Sequence, residues 1–158
     1  MQVDSDKIAS KVGVAASFAW TWSDSDLAAF CEAQGWRVKE RDRRGAVLAT
    51  DLELDRPEAR WSSKDGTVER VSVWVVDEPA KDTVDAVRRT YDGFVDITSA
   101  IERILGPATR RRSGADGEVR WDLAHVVVRL RLFENSIYFE LVNPEHQAWI
   151  DAPDDEDS

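Results

Sequence analysis

Three carboxylates alternate in the stretch TDLELDRPE: Asp51, Glu53 and Asp55. In an extended chain a period of two turns all three to one side. There they would hold a divalent cation or meet a basic protein surface. The plainer reading is a solvated strand end whose charge resists edge-to-edge pairing. Other groups able to do chemistry are sparse. The two histidines, His125 and His146, have no acids beside them at metal-ligand spacing. Cys31 is the single cysteine, so neither an internal disulfide nor a cysteine-based zinc site can form. In the stretch DLAAFCEAQG it reads as a small buried hydrophobe. The chain has no glycine-rich phosphate loop and no G-x-S-x-G elbow. These residues point to a protein that is not an enzyme and needs no metal or cofactor.

The basic groups are TRRRSG, with Arg110, Arg111 and Arg112, and the later Arg120, Arg129 and Arg131. No aromatic side chains interleave with them as nucleic-acid binding would require, and complementing the end of a preceding helix explains the triplet better. Tryptophan is the unusual component, with seven against two tyrosines. Trp36, Trp74 and Trp121 sit in strand-like patterns and are assigned to the core. Trp20, Trp22, Trp61 and Trp149 lie in or beside connectors. Tryptophan combines a large rigid area with a hydrogen-bond donor, which suits both cores and interface anchors. In FAWTWS we expect Trp20 to continue the apolar side of the first helix and be buried. Trp22, beside Ser23, Asp24 and Asp26, is expected to be at least partly exposed. The partner-binding candidates are therefore Trp22, Trp61, Asp51, Glu53 and Asp55.

Length and charge set the class. A chain of 158 residues fits one domain with a substantial core. The formal net charge is −10, half of it from Asp151 and the acids of DDEDS at the end. Such a field disfavours nucleic acid and anionic lipid. No apolar run reaches the roughly 20 residues of a membrane-spanning helix, and the acidic N-terminus does not resemble a secretory signal. The expected location is the cytoplasm, with residues 1–153 as one domain and 154–158 as a disordered acidic tail.

The elements that must position these groups follow from periodicity. Ile8, Val12, Ala15 and Ala16 have helical spacing, with Gly13 as a weak point. A second helix starts at Ser23, where Ser23 and Asp26 resemble a capping box, and stops at Gly35. WRVKE directs Trp36 and Val38 one way, and GAVLATDLEL follows. TVERVSVWVV is apolar on both faces, with Val71, Val73 and Val75 on one and Ser72, Trp74 and Val76 on the other. That predicts a central strand covered on both sides. A long helix capped by Asp82 carries Val84, Val87, Tyr91, Phe94, Val95, Thr98, Ile101 and Leu105 as one stripe, and LGP ends it. EVRWDL, HVVVRLRL and IYFELV then form a meander, with Arg129 and Arg131 outward, and the chain leaves the sheet at Pro144. The result is an α+β fold: a twisted antiparallel sheet in two three-stranded runs, with a long central helix and N-terminal helices packed on it.

The stretches FAWTWS, CEAQGWRV, LGPATRR, VRWDL and LVNPEH together resemble a group of small actinobacterial proteins of unknown function. Such proteins look like the cytoplasmic immunity partners of secreted polymorphic toxins. The resemblance covers most of residues 14–147, and its motifs are structural tryptophans and turns, with no catalytic residues attached. The element order also looks like the type III secretion chaperones, a likeness at fold level. The resemblance implies a protein-binding domain that occludes a toxin with a basic surface. A secretion chaperone or adaptor, and an enzyme with an unrecognised site, are the alternatives.

Overall fold

A computed structural model describes residues 4–54, 56–77, 83–114 and 116–153. Asp55, Asp82 and the DDEDS tail lie outside the described residues.

Helix α1 (Ser5–Ser17) starts at Asp4, whose carboxylate accepts the Lys7 amide. It buries Ile8, Ala9, Val12 and Ala15. Gly13 has a packing reason: a Cβ there would stand 3.3 Å from Cγ2 of Ile104, on the long helix that α1 crosses. A single 3-10 turn (Asp24–Asp26) leads into α2 (Leu27–Gln34), which Gly35 ends at φ 76°. The expected capping box is only half present. Ser23 caps the Ser25 amide, but the Asp26 carboxylate turns to Thr21 and Trp22 instead.

Among the described residues eight antiparallel strands follow: β1 (Arg37–Asp42), β2 (Gly45–Ala49), β3 (Glu58–Lys64), β4 (Thr67–Asp77), then β5 (Arg110–Arg112), β6 (Glu118–Asp122), β7 (Val127–Phe133) and β8 (Ser136–Val142). Between β4 and β5 runs α3 (Val84–Leu105), capped by Thr83, whose hydroxyl accepts the Ala86 amide. Helix α4 (Pro144–Asp151) closes the described chain. The sheet order is β1-β2-β3-β4-β8-β7-β6-β5. Each run of four strands is thus a meander, and the two meanders meet back to back at β4 and β8. The sequence reading had three strands in each run. It missed β3, whose inward positions Ala59, Trp61 and Ser63 offer a weak apolar period. It also missed β5, which has no apolar residue and exists through its pairing with β6. α4 stands where the chain was expected only to leave the sheet, and it carries Trp149 exposed.

Cross-strand partners share a face. On the inner face one row runs Trp121, Val128, Leu141, Val71, Trp61, Ala46. The next runs Val119, Leu130, Phe139, Val73, Ala59, Leu48. Both rows are buried and join residues of α1, α2 and α3 in one continuous core. Val71, Val73 and Val75, expected on one face of the central strand, are buried, and so are the alternating positions Val128, Leu130, Phe139 and Leu141 that periodicity directs inward in the meander. Val38 departs from expectation at 40% exposure, because β1 is the edge strand and is exposed along its whole length.

Two further expectations are corrected. A bulge between Trp74 and Val76 brings Val76 opposite Ile137, so it joins the inner face. The other face of β4 therefore carries Ser72 and Trp74 and is not covered by α1, α2 or α3. On α3 the buried side is Ala86, Thr90, Gly93, Phe94, Ile97, Thr98, Ala100 and Ile101. Val84, Val87, Tyr91 and Val95 are exposed, since only one side of this helix lies on the sheet. Among the described residues no helix is long and apolar enough to cross a membrane.

Candidate functional site: the open face of the sheet

The tryptophan expectation is reversed. Trp22 is the buried member at 9% exposure, and Trp20 is half-buried. The cause is local. Trp22 has φ 62°, a left-handed conformation that a bulky residue adopts only when its surroundings hold it there. Its amide donates to Asp26 Oδ2 at 2.9 Å, its carbonyl accepts from the Val68 amide at 2.8 Å, and its indole N–H donates to the His125 carbonyl at 3.0 Å. Alternation fails at such a residue, so Trp20 and Trp22 stack on one another, with centroids 4.2 Å apart and planes at 9°. Trp61, expected in a connector as a partner anchor, is the centre of β3 at 1% exposure. Its N–H donates to Asp24 Oδ1 at 3.1 Å. Trp61 presents no open surface to a partner, and Trp22 presents only the small part that lines a surface cleft with Trp20 and His125.

The acidic candidates separate as well. The chain bends after Ala49 rather than extending, so no shared face forms. Asp51 turns to the fold, accepting the Trp36 N–H at 2.7 Å and pairing with Lys11 at 2.9 Å. Burial alone would raise its carboxyl. The Trp36 and Lys11 hydrogen bonds and the Lys11 charge outweigh this and hold it below the usual carboxylate range. Glu53 is exposed, and Asp55 lies outside the described residues. Among the described residues no group of three or more His, Cys, Asp or Glu is placed to hold a metal ion. Cys31 is buried, which pushes its thiol up. His146 Nδ1 lies 3.1 Å from Glu69, and its ring stacks on Trp149.

The side chains that do come together lie on the face that α1, α2 and α3 leave uncovered. One register row holds Arg120, Arg129, Glu140, Ser72 and Arg60. The next holds Arg112, Glu118, Arg131, Tyr138 and Trp74. Glu140 is the hub, with its side chain 3% exposed. It accepts from the Ser72 hydroxyl at 3.2 Å and faces Arg131 at 3.3 Å, Arg129 at 3.5 Å and Arg70 at 3.7 Å. Glu118 accepts from Arg129 Nε and lies 3.9 Å from Arg131. Beside this lattice Trp74 stacks on Tyr138, centroids 5.9 Å apart, and the Arg131 guanidinium lies 5.6 Å from the Tyr138 ring. Burial pushes the Tyr138 phenol up.

At the β6 margin α4 docks through Asp151. Both its carboxylate oxygens accept from Arg120, at 2.6 and 3.1 Å, while Arg120 Nε donates to Asp122 at 2.6 Å. The pairing with Asp151 raises the Arg120 guanidinium against the effect of burial and holds Asp151 below the usual carboxylate range. The outward positions of Arg129 and Arg131 were readable from strand alternation. Their partners Glu118 and Glu140 were not, because each lies on a different strand.

A family model described as a family of unknown function, DUF6301, matches residues 6–143. None of the curated proteins matches the chain. Among solved structures, the chain is similar to YjgB, a DUF4309 family protein from Bacillus subtilis subsp. subtilis str. 168, at 13% identity and a TM-score of 0.40. That alignment covers 77% of this chain and 78% of the other. The family match spans most of the chain, and the chain belongs to the DUF6301 family of unknown function.

Proposed function

We propose that the protein is a non-enzymatic protein-binding domain whose docking surface is the open face of its sheet. The observation that carries the reading is the arginine–carboxylate lattice beside the stacked Trp74 and Tyr138. Arginine, tryptophan and tyrosine are the residues that most often anchor protein interfaces. Ion pairing with Glu118 and Glu140 holds these guanidinium groups in place before a partner arrives, which lowers the ordering cost of binding. The same pairing occupies the carboxylates, so the face suits recognition better than proton transfer, for which a base must be free to accept.

Within that class we favour an immunity protein that occludes a secreted toxin in the cytoplasm, as the sequence resemblance implies. The overall negative charge would speed approach to a partner of net positive charge, while the contact face itself is mixed in sign. The test is growth rescue. Toxin domains encoded in the source genome are expressed one at a time with the wild-type chain or with the Trp74→Ala/Arg131→Ala double variant. Rescue against one toxin by the wild type, lost in the double variant, supports the reading. Rescue of none removes the immunity role, and undiminished rescue by the double variant removes the open face as the docking surface. Tight binding of a non-toxic secreted segment through this face would instead indicate a secretion chaperone.

A further inference from the structure

Between α4 and strands β5 to β7 lies a cleft of about 360 Å³. Five arginines and two carboxylates line it, a local excess of positive charge in a chain whose net charge is −10. The excess is not spread evenly. Arg120 is held by Asp122 and Asp151, Arg129 by Glu118 and Glu140, and Arg111 by Glu102 at 2.6 Å. Arg112 donates Nε and Nη2 to the Asp116 carbonyl and keeps only a 4.0 Å approach to Glu118. Arg110 makes no side-chain hydrogen bond or ion pair among the described residues. Arg110 acts on Asp151 only through its charge, so Arg110 and Arg112 are the least closely paired of the five; both are exposed and occupy alternate positions of β5.

Strand β5 is also the last strand of the sheet, so its outer edge pairs with no strand among the described residues. Residues two apart on a strand are about 6.5–7 Å apart. An extended peptide laid along that edge repeats the same interval and sets its own alternate side chains beside Arg110 and Arg112. The open edge of β5 adds unpaired backbone N–H and C=O groups to the charge of these arginines. A peptide bearing carboxylates can pair with that edge and with the arginines together, whereas inorganic phosphate meets the charge but cannot extend the strand ladder.

We propose that the β5 edge and its arginine cleft bind an extended acidic segment of the partner protein, with Asp or Glu at alternate positions. The proposal rests on the protein-binding reading above and names the chemistry the partner must present. The experiment uses the full chain and three probes: a fluorescent ten-residue peptide with Glu at every second position, its Glu→Gln counterpart, and inorganic phosphate as competitor. Fluorescence anisotropy should show the Glu peptide bound, weakening as salt rises. The Gln peptide and the Arg110→Gln/Arg112→Gln variant should each bind about tenfold more weakly or worse. Arg110→Glu/Arg112→Glu should reverse the preference toward a lysine peptide of the same spacing, which shows that the variant is folded and that charge decides. Equal binding of the Glu and Gln peptides, an unaffected double variant, or displacement by phosphate at concentrations comparable to the peptide would each overturn the proposal. If the peptide fails here while Trp74→Ala/Arg131→Ala still abolishes toxin rescue, the inference about β5 is wrong and the open-face reading stands.

Discussion

The protein contains two aromatic groups with opposite surroundings. Under the helices, Trp20, Trp22 and Trp61 pack with Phe18 and Phe30, and each indole N–H is given to a carbonyl or carboxylate of the fold itself. On the open face Trp74 and Tyr138 stack beside charged groups, with solvent on one side. A buried indole whose donor is used internally contributes to stability and presents nothing to a partner. A half-exposed aromatic pair next to fixed guanidinium groups contributes less to stability and remains available for contact. Richness in tryptophan therefore does not mark an interface; the location of the N–H partner and of the ring face does.

The sharpest way to break this contrast is Trp61→Ala. Loss of a fully buried indole from the aromatic group should cost about 3–5 kcal/mol in a urea melt. A cost below about 1 kcal/mol would mean that this group is not a packed core. Glu140→Ala comes next. It leaves Arg129 and Arg131, and the more exposed Arg70, without their common carboxylate, and truncating one member of a buried ionic group costs roughly 3 kcal/mol. The same melt checks it, and a neutral result would show that the lattice is a solvated surface. Trp74→Ala should cost only about 1 kcal/mol, the scale of an aromatic pair with limited burial, while removing toxin rescue. If it destabilises as much as Trp61→Ala, the two aromatic groups are alike and the comparison fails.

The smallest effect is a pH dependence at the α4 margin. The Asp151 carboxyl is held below its usual value, first by its hydrogen bonds from Arg120. A depressed carboxyl contributes stability that is fully present above its unfolded value, about 3.9, and is lost as pH falls through the folded value. Wild type and Asp151→Asn should therefore differ by a constant amount above about pH 5 and converge as pH falls below about 4. Stability curves of the two proteins across that range check it. A gap that widens in acid would contradict the assigned direction.

Strand periodicity carried the inner face. The alternation in VSVWVV, VVVRLRL and IYFEL placed Val71, Val73, Leu130 and Phe139 in the core, because water rejects those side chains whatever their neighbours. The same alternation placed Arg129 and Arg131 outward. The candidate site was much less legible. TDLELD has the spacing of a one-sided carboxylate face only if it is extended, and the bend after Ala49 is set by contacts of Asp51 with Lys11 and Trp36, distant in the sequence. Trp22 was misjudged because its left-handed backbone depends on Asp26, Val68 and His125 together.

Composition, patterning and turn residues by themselves determined an α+β chain with an antiparallel sheet, a long helix and a valine-rich centre, since those are consequences of local geometry and of burying apolar surface. Tertiary structure alone decided that the sheet has eight strands, that β4 meets β8, and that Glu140 gathers arginines from two neighbouring strands. Strand order and cross-strand charge pairing depend on which segments share backbone hydrogen bonds, and a row of side chains drawn from several strands has no counterpart along the chain.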